Sequence, residues 1–385
     1  MLIQKIKLTN FRNFKKKEFE FTPKVTLIVG DNATGKTNIL EAIYLLSTGK
    51  SFKARLENEM INYEADIARI DGEVSSQIRT KLEVVLTNGE VQIGENPVNT
   101  KKSPRKKLLL NGVPKRLIDF AGNIKVVLFG PWDMDLVTAS PSLRRRFLDS
   151  VLSQVDREYR RSIMIYEKGL RQRNKLLLRI RDEGMSRGQL MYWDKLLIKH
   201  GEYLTQKREE FLDFVNNTPD FLDRDYSLYY DKSVISVGRL KQYEEEGVAA
   251  GTTLVGPHRD DVVFKIKNQN SKIKNGVREL APYGSRGEQR MGILWLKLAE
   301  LSYIEKITND PSAGSGQASS AGSGQASSAG SGQGKPVLLL DDIFSELDHE
   351  HRDIVMDVCK NQQTIITTAD IHNVEKIKGA EIIRI

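Results

Sequence analysis

The 385-residue chain is long enough for two or three domains and a sizeable core. Its mean hydropathy is −0.42, no apolar run approaches the roughly 20 residues of a membrane helix, and no signal-peptide core follows Lys5 and Lys7, so a cytoplasmic protein with no membrane partner is expected. One cysteine, Cys359, and five histidines without metal-ligand spacing exclude a disulfide framework and a Cys/His metal site, and the net charge of +8 raises the question of where the surplus lies.

In chain order, the apolar run at residues 25–29 reads as a buried strand. It feeds Gly30-Asp31-Asn32-Ala33-Thr34-Gly35-Lys36-Thr37, which opens a helical pattern over residues 38–46. Strand, glycine-bearing loop and helix N-terminus together form a phosphate cradle: successive backbone N–H groups curl toward an anion, and the helix end adds its partial positive charge. Gly30, Asp31, Asn32, Ala33, Thr34 and Gly35 supply the loop. Lys36 reaches the β- and γ-phosphates, and the Thr37 hydroxyl ligates Mg²⁺. The alternative, an ordinary glycine-containing turn, is disfavoured by the flanking strand and helix.

Residues 68–74, 81–86 and 125–129 read as strands, and Asn88-Gly89 as a two-residue hairpin turn. The basic tract at 101–107 reads as a surface loop entering a strand and turn at 108–112. After Pro141-Ser142, with Ser142 as N-cap, Leu143, Phe147, Val151, Val155 and Tyr159 recur at spacing four, with the arginines largely off that face. A second helix is expected over residues 189–214. The two form an antiparallel lobe joined around Asp182-Glu183-Gly184, too short for a long coiled coil. Residues 144–208 hold seventeen Lys/Arg against eight Asp/Glu, so the charge surplus is concentrated there. That concentration fits either a polyanion-binding patch or a solvated helix face.

From about residue 254 the pattern returns to strands. Ser285-Arg286-Gly287-Glu288-Gln289 then precedes an amphipathic helix at 294–301. Residues 310–334 contain Ser-Ala-Gly-Ser-Gly-Gln three times, from Ser312, Ser320 and Ser328, and read as a flexible linker. The apolar strand at 337–340 ends in Asp341-Asp342. Asp341 is expected to hold Mg²⁺ directly or from its outer shell, and Asp342 to orient the attacking water. A helix N-cap with an acidic neighbour is the alternative for this pair.

Ser285-Arg286-Gly287-Glu288-Gln289 resembles the signature loop of the ABC ATPase superfamily, and Ser345-Glu346-Leu347-Asp348 is similar to its D-loop. The resemblance implies that Ser285 and Gly287 close over the γ-phosphate held by a second copy. Residues 8–14 and 37–43 resemble both RecF and SMC-like ATPases, while 144–149, 170–177 and 256–261 are closer to the RecF family of bacterial DNA repair. Only residues 310–334 fall outside the resemblance. Ala33 stands where the family usually has Gly and Glu288 where Gln is commoner, and neither change removes a phosphate ligand.

The implied fold is α/β: an ABC-type P-loop ATPase head, a mixed sheet with helices, interrupted by an α-helical lobe. The expected division is 1–138 and 246–385 for the head and 139–245 for the lobe. The resemblance also implies a slow ATPase using ATP and Mg²⁺, with Lys36 and Asp342 as its catalytic residues. Its implied partners are a second copy, in an ATP-dependent homodimer; double-stranded and gapped DNA; and RecR and RecO, with which it would help load recombinase. Two other readings stay open: an SMC-like DNA scaffold, and a transport ATPase, which would not ordinarily carry an Arg-rich helical insertion.

Overall fold

Parallel and antiparallel strand pairing are segregated into different sheets. The computed structural model describes residues 2–75, 79–92, 100–218, 225–267, 276–310, 334–345, 347–370 and 379–385. The repeat linker expected at 310–334 falls almost wholly outside them, as does Glu346 of the D-loop-like stretch. The chain divides into two compact units. The first holds the described residues of 2–131, 304–310 and 334–385. The second is Trp132–Tyr303, so the segment carrying Ser285-Arg286-Gly287-Glu288-Gln289 is grouped with the long helices.

In the first unit, a five-stranded parallel sheet runs in the order Val126–Phe129, Val337–Asp341, Thr364–Thr368, Val25–Val29, Glu381–Arg384. The strands Val25–Val29 and Val337–Asp341 are apolar almost throughout because both faces are covered, which is why they read as hydrophobic runs; Thr364–Thr368 is equally buried but carries three threonines. The helix Lys36–Thr48 packs with Ile39, Leu40, Ala42, Ile43, Leu45 and Leu46 fully buried. It ends at Gly49, whose left-handed φ of 67° lets its N–H bond the Leu45 carbonyl.

The same unit contains a six-stranded antiparallel sheet, in the order Phe14–Glu20, Leu2–Phe11, Ile67–Ser75, Arg79–Thr87, Lys106–Leu110, Val113–Lys115. Burial alternates along Ile67–Ser75, as expected for a sheet with one wet face. At Gly72 an added Cβ would lie 2.5 Å from Leu46 Cδ1, so the helix Lys36–Thr48 and this sheet meet closely there.

The hairpin expected at Asn88-Gly89 is not formed between adjacent long strands. Arg79–Thr87 pairs instead with Lys106–Leu110, and the intervening chain makes a small ribbon of Glu90–Gln92 with Thr100–Lys102. Only Gly89 there has positive φ, 97°, whereas a type I′ turn needs it at both central residues. Asn111 and Gly112, at φ 50° and 78°, satisfy that requirement and join Lys106–Leu110 to Val113–Lys115.

The second unit contains the helices Pro141–Val155, Arg157–Glu183 and Leu190–Asn216, a three-stranded antiparallel sheet (Asp225–Asp231, Asp261–Lys267, Val277–Glu279) and the helix Arg286–Asn309 through Tyr303. The spacing-four pattern from Leu143 to Tyr159 crosses a helix boundary. Asp156 leaves helical geometry, and its carboxylate accepts from the Glu158 and Tyr159 N–H groups at 2.8 and 2.9 Å, starting a new helix. Ser140, ahead of Pro141 at the first helical position, takes the N-cap place expected of Ser142.

The arginines are not all surface groups. Arg208 is buried among Asp149 at 2.8 Å, Asp260 at 2.9 Å and the Tyr159 hydroxyl. Arg173 meets Asp194 at 2.6 Å, and Arg144 grips Asp261 with two bonds. Part of the lobe's basic surplus is therefore neutralised inside the unit. Arg146, Lys168, Arg171 and Lys175 remain exposed.

Candidate functional site

The loop after Val25–Val29 is shaped by positions where a side chain would not fit. A Cβ at Gly30 would lie 2.6 Å from the Ile385 carbonyl oxygen, and one at Gly35 would lie 2.7 Å from both the Asn13 amide and the Phe14 ring. Gly35 has φ 109° and sits at the N-cap of Lys36–Thr48. Ala33 adopts φ 68°, the left-handed region that a glycine enters without penalty and that costs other residues about 1–2 kcal/mol. Thr34 closes the loop on itself, its hydroxyl donating to the Asp31 carbonyl at 2.8 Å. Asp31 and Asn32 are exposed on its outer side.

The Lys36 ammonium donates to the Gly30 and Asp31 carbonyls at 2.7 and 2.8 Å, folding back over the loop that contains it. Its side chain is largely buried, with the residue 9% exposed. Thr37 Oγ1 donates to Asp341 Oδ2 at 2.7 Å, joining two motifs 304 residues apart in the chain. Asp341 is buried, and its other oxygen accepts from the Thr367 hydroxyl. Asp342 is less buried and adopts φ 49°; its N–H donates to the Thr367 carbonyl at 3.0 Å, and its own carbonyl accepts from Ser345 Oγ at 2.7 Å.

This geometry fits a nucleoside triphosphate with a divalent cation. The loop turns through the left-handed Ala33 and the positive-φ Gly35 onto the N-terminus of the helix Lys36–Thr48, where backbone N–H groups and the helix end favour an anion. The lysine ammonium rests on carbonyls that phosphate oxygens can replace. Thr37 and Asp341 present hard oxygen donors side by side, the type Mg²⁺ takes alongside phosphate and water. Among the described residues no group of three or more His, Cys, Asp or Glu could hold a metal, so a cation here depends on that pair and on the oxygens its ligand brings.

Ser285 and Gly287 lie in the second unit. Ser285 begins the helix Arg286–Asn309 through a reciprocal capping box: its N–H donates to Glu288 Oε2 at 2.7 Å, and the Glu288 N–H donates to Ser285 Oγ at 3.2 Å. Gln289 Nε2 ties the start of the helix to the Leu280, Ala281 and Gly284 carbonyls at 3.2–3.4 Å. Ser285, Arg286 and Gly287 are exposed, and a Cβ on Gly287 would meet nothing within 4 Å. Glu288, which departs from the commoner Gln, is half of the capping box and also accepts from Arg278 at 2.7 Å.

Two contributors escaped the sequence reading. Thr367 binds Asp341 and Asp342 from the strand Thr364–Thr368, which lies between the two motif strands; as one of three threonines in that buried strand it carried no signal that set it apart. Asn13 donates to the Thr34 carbonyl from the turn between Leu2–Phe11 and Phe14–Glu20. Its position in Arg12-Asn13-Phe14 gave no hint of that contact.

A parallel sheet bearing a phosphate loop on one strand and an acid-ended partner strand, with a separately capped signature helix, defines an ABC-type P-loop ATPase. No helix of the described residues is long and apolar enough to cross a membrane. Within that class the chain belongs to the RecF family: the model of the RecF/RecN/SMC N terminal domain matches residues 2–385. It is 34% identical over 379 residues to the DNA replication and repair protein RecF of Lachnoclostridium phytofermentans, covering 95% of this chain and 92% of the relative. The protein of the same name from Halalkalibacterium halodurans is 32% identical, covering 97% of this chain and 94% of the relative. Among solved structures, the recombination mediator protein "RecF-ATPrS in RecFOR pathway" superimposes with a TM-score of 0.80 at 29% identity, covering 100% of this chain and 96% of that one. The corresponding RecF-ATP structure gives 0.79, covering 97% and 93%.

Proposed function

We propose that the chain is an ATP-dependent DNA-binding protein of recombinational repair and replication, in which ATP closes two copies into a dimer and slow hydrolysis releases them. The 2.7 Å bond between Thr37 and Asp341 carries this reading, because it joins the phosphate loop to the acidic strand end. The relatives' names and the nucleotides in the similar RecF structures support it.

Gly30, Asp31, Asn32, Ala33, Thr34 and Gly35 cradle the phosphates, and Lys36 exchanges its loop carbonyls for phosphate oxygens. Thr37 and Asp341 orient Mg²⁺. Asp342 orients and polarises the attacking water. Ser285 and Gly287 reach the nucleotide of the partner copy, for which their exposure leaves them available. ATP–Mg²⁺ supplies the phosphoanhydride whose cleavage ends the closed state. The closed dimer holds double-stranded DNA, gapped DNA in particular, through exposed cations such as Arg146, Lys168, Arg171 and Lys175. With RecR and RecO, which the similar structures' RecFOR context suggests as partners, it helps load recombinase in the cytoplasm.

Duplex-DNA binding followed by fluorescence anisotropy at low salt tests the proposal. ATP should raise the affinity, Lys36→Ala should abolish that gain, and added salt should weaken binding steeply as counterions compete for the phosphates. An affinity indifferent to ATP at low salt would overturn it.

A further inference from the structure

The turn between the strands Leu2–Phe11 and Phe14–Glu20 grips the phosphate loop from outside. Asn13 Nδ2 donates to the Thr34 carbonyl at 2.8 Å, and Asn13 Oδ1 accepts from Asn38 Nδ2 at 2.9 Å. One amide thus ties the loop to the first turn of the helix Lys36–Thr48. Its neighbours fix the turn itself. Arg12, at φ 54°, makes two bonds to the fully buried Glu41 of that helix at 2.7 and 2.8 Å. Phe14 closes the space over Gly35. Asn13 itself is exposed, so it adds little to the core. An exposed amide using both its donor and its acceptor on one functional loop is placed to act on that loop's shape.

We infer that Asn13 is a positioning residue of the nucleotide site, holding the phosphate loop ready to receive a triphosphate. The inference rests on the nucleotide-site reading given above. By turning the Thr34 carbonyl toward itself, Asn13 keeps that acceptor directed away from an incoming anion. By tying Asn38, it fixes the helix N-terminus relative to the loop. The turn therefore reduces the ordering the loop must undergo when ligand arrives, and its loss should appear in affinity.

The test compares binding of a fluorescent ATP analogue with Mg²⁺ and nucleotide-free thermal stability for wild type, Asn13→Ala, Asn13→Asp and Lys36→Ala. Asn13→Ala should weaken nucleotide binding about five- to tenfold, the scale of one or two lost hydrogen bonds, with Tm nearly unchanged. Asn13→Asp keeps the size and the acceptor for Asn38 but, when ionised, has no donor for Thr34. Its deficit should shrink as pH falls toward about 4, where the protonated carboxyl regains an O–H. A purely structural role does not predict that recovery. Unchanged affinity in both Asn13 variants, a lowered Tm with unchanged affinity, or an Asn13→Asp deficit that does not vary with pH would overturn the inference. If Lys36→Ala also bound nucleotide normally, the nucleotide-site reading itself would fail.

Discussion

Asp341 and Asp342 are neighbours in sequence with different surroundings. Asp341 is buried and meets two threonine hydroxyls, whereas Asp342 turns through φ 49° into a more open position. The difference supports the cation-holding role proposed for Asp341 and the water-orienting role proposed for Asp342. Asp342→Asn should bind ATP much as wild type does and hydrolyse it at least about 100-fold more slowly, as loss of a general base does. Quenched-flow or steady-state phosphate release checks this, and a near-normal rate would remove Asp342 from the mechanism. The loop from Gly30 to Thr37, between strand and helix, was legible in the sequence because it is local, with every part within eight consecutive positions. Thr367 was not, because its contact with Asp341 arises only once the strand Thr364–Thr368 is placed between the two motif strands.

At the scale of elements, the strands carrying the motifs read correctly because burial on both faces leaves continuous apolar runs. The boundary at Asp156 was hidden because the spacing-four pattern happens to continue through it; only the capping carboxylate marks the break. The surplus of arginines was legible as a count but not as a location, since pairing with Asp149, Asp260, Asp261 and Asp194 depends on how the elements pack. His258, in one of the RecF-like stretches, gives this packing a pH signature. Its Nε2 donates to the Thr253 carbonyl and its Nδ1 lies 2.8 Å from the Tyr166 hydroxyl, a pairing that the neutral ring satisfies. Burial lowers its pKa to about 4, with Arg259 and Arg145 acting in the same direction, while the Thr253 bond and Asp260 oppose.

The unfolded chain therefore binds more protons than the folded one between the ordinary value near 6.5 and about 4. Stability is fully present above that window and falls as pH drops through it, by something on the order of 3 kcal/mol for this group. Thermal unfolding should show this acid slope, and His258→Gln should flatten it. Equal slopes for wild type and variant would show that His258 does not titrate on unfolding.

For the whole molecule, the residues proposed to act together lie far apart in the chain and, for Ser285 and Gly287, in a different unit from the phosphate loop. The family could be read from short stretches, and the match over residues 2–385 agrees with that reading. The exposure of Ser285 and Gly287 supports the proposal that a second copy supplies both residues to the nucleotide. Sedimentation velocity with and without ATP–Mg²⁺ tests this most directly, on wild type and on Ser285→Arg. Wild type should pass from monomer to dimer when ATP is added, while Ser285→Arg should bind ATP yet stay monomeric. A wild type that remains monomeric at saturating ATP, or a Ser285→Arg variant that still dimerises, would contradict the account.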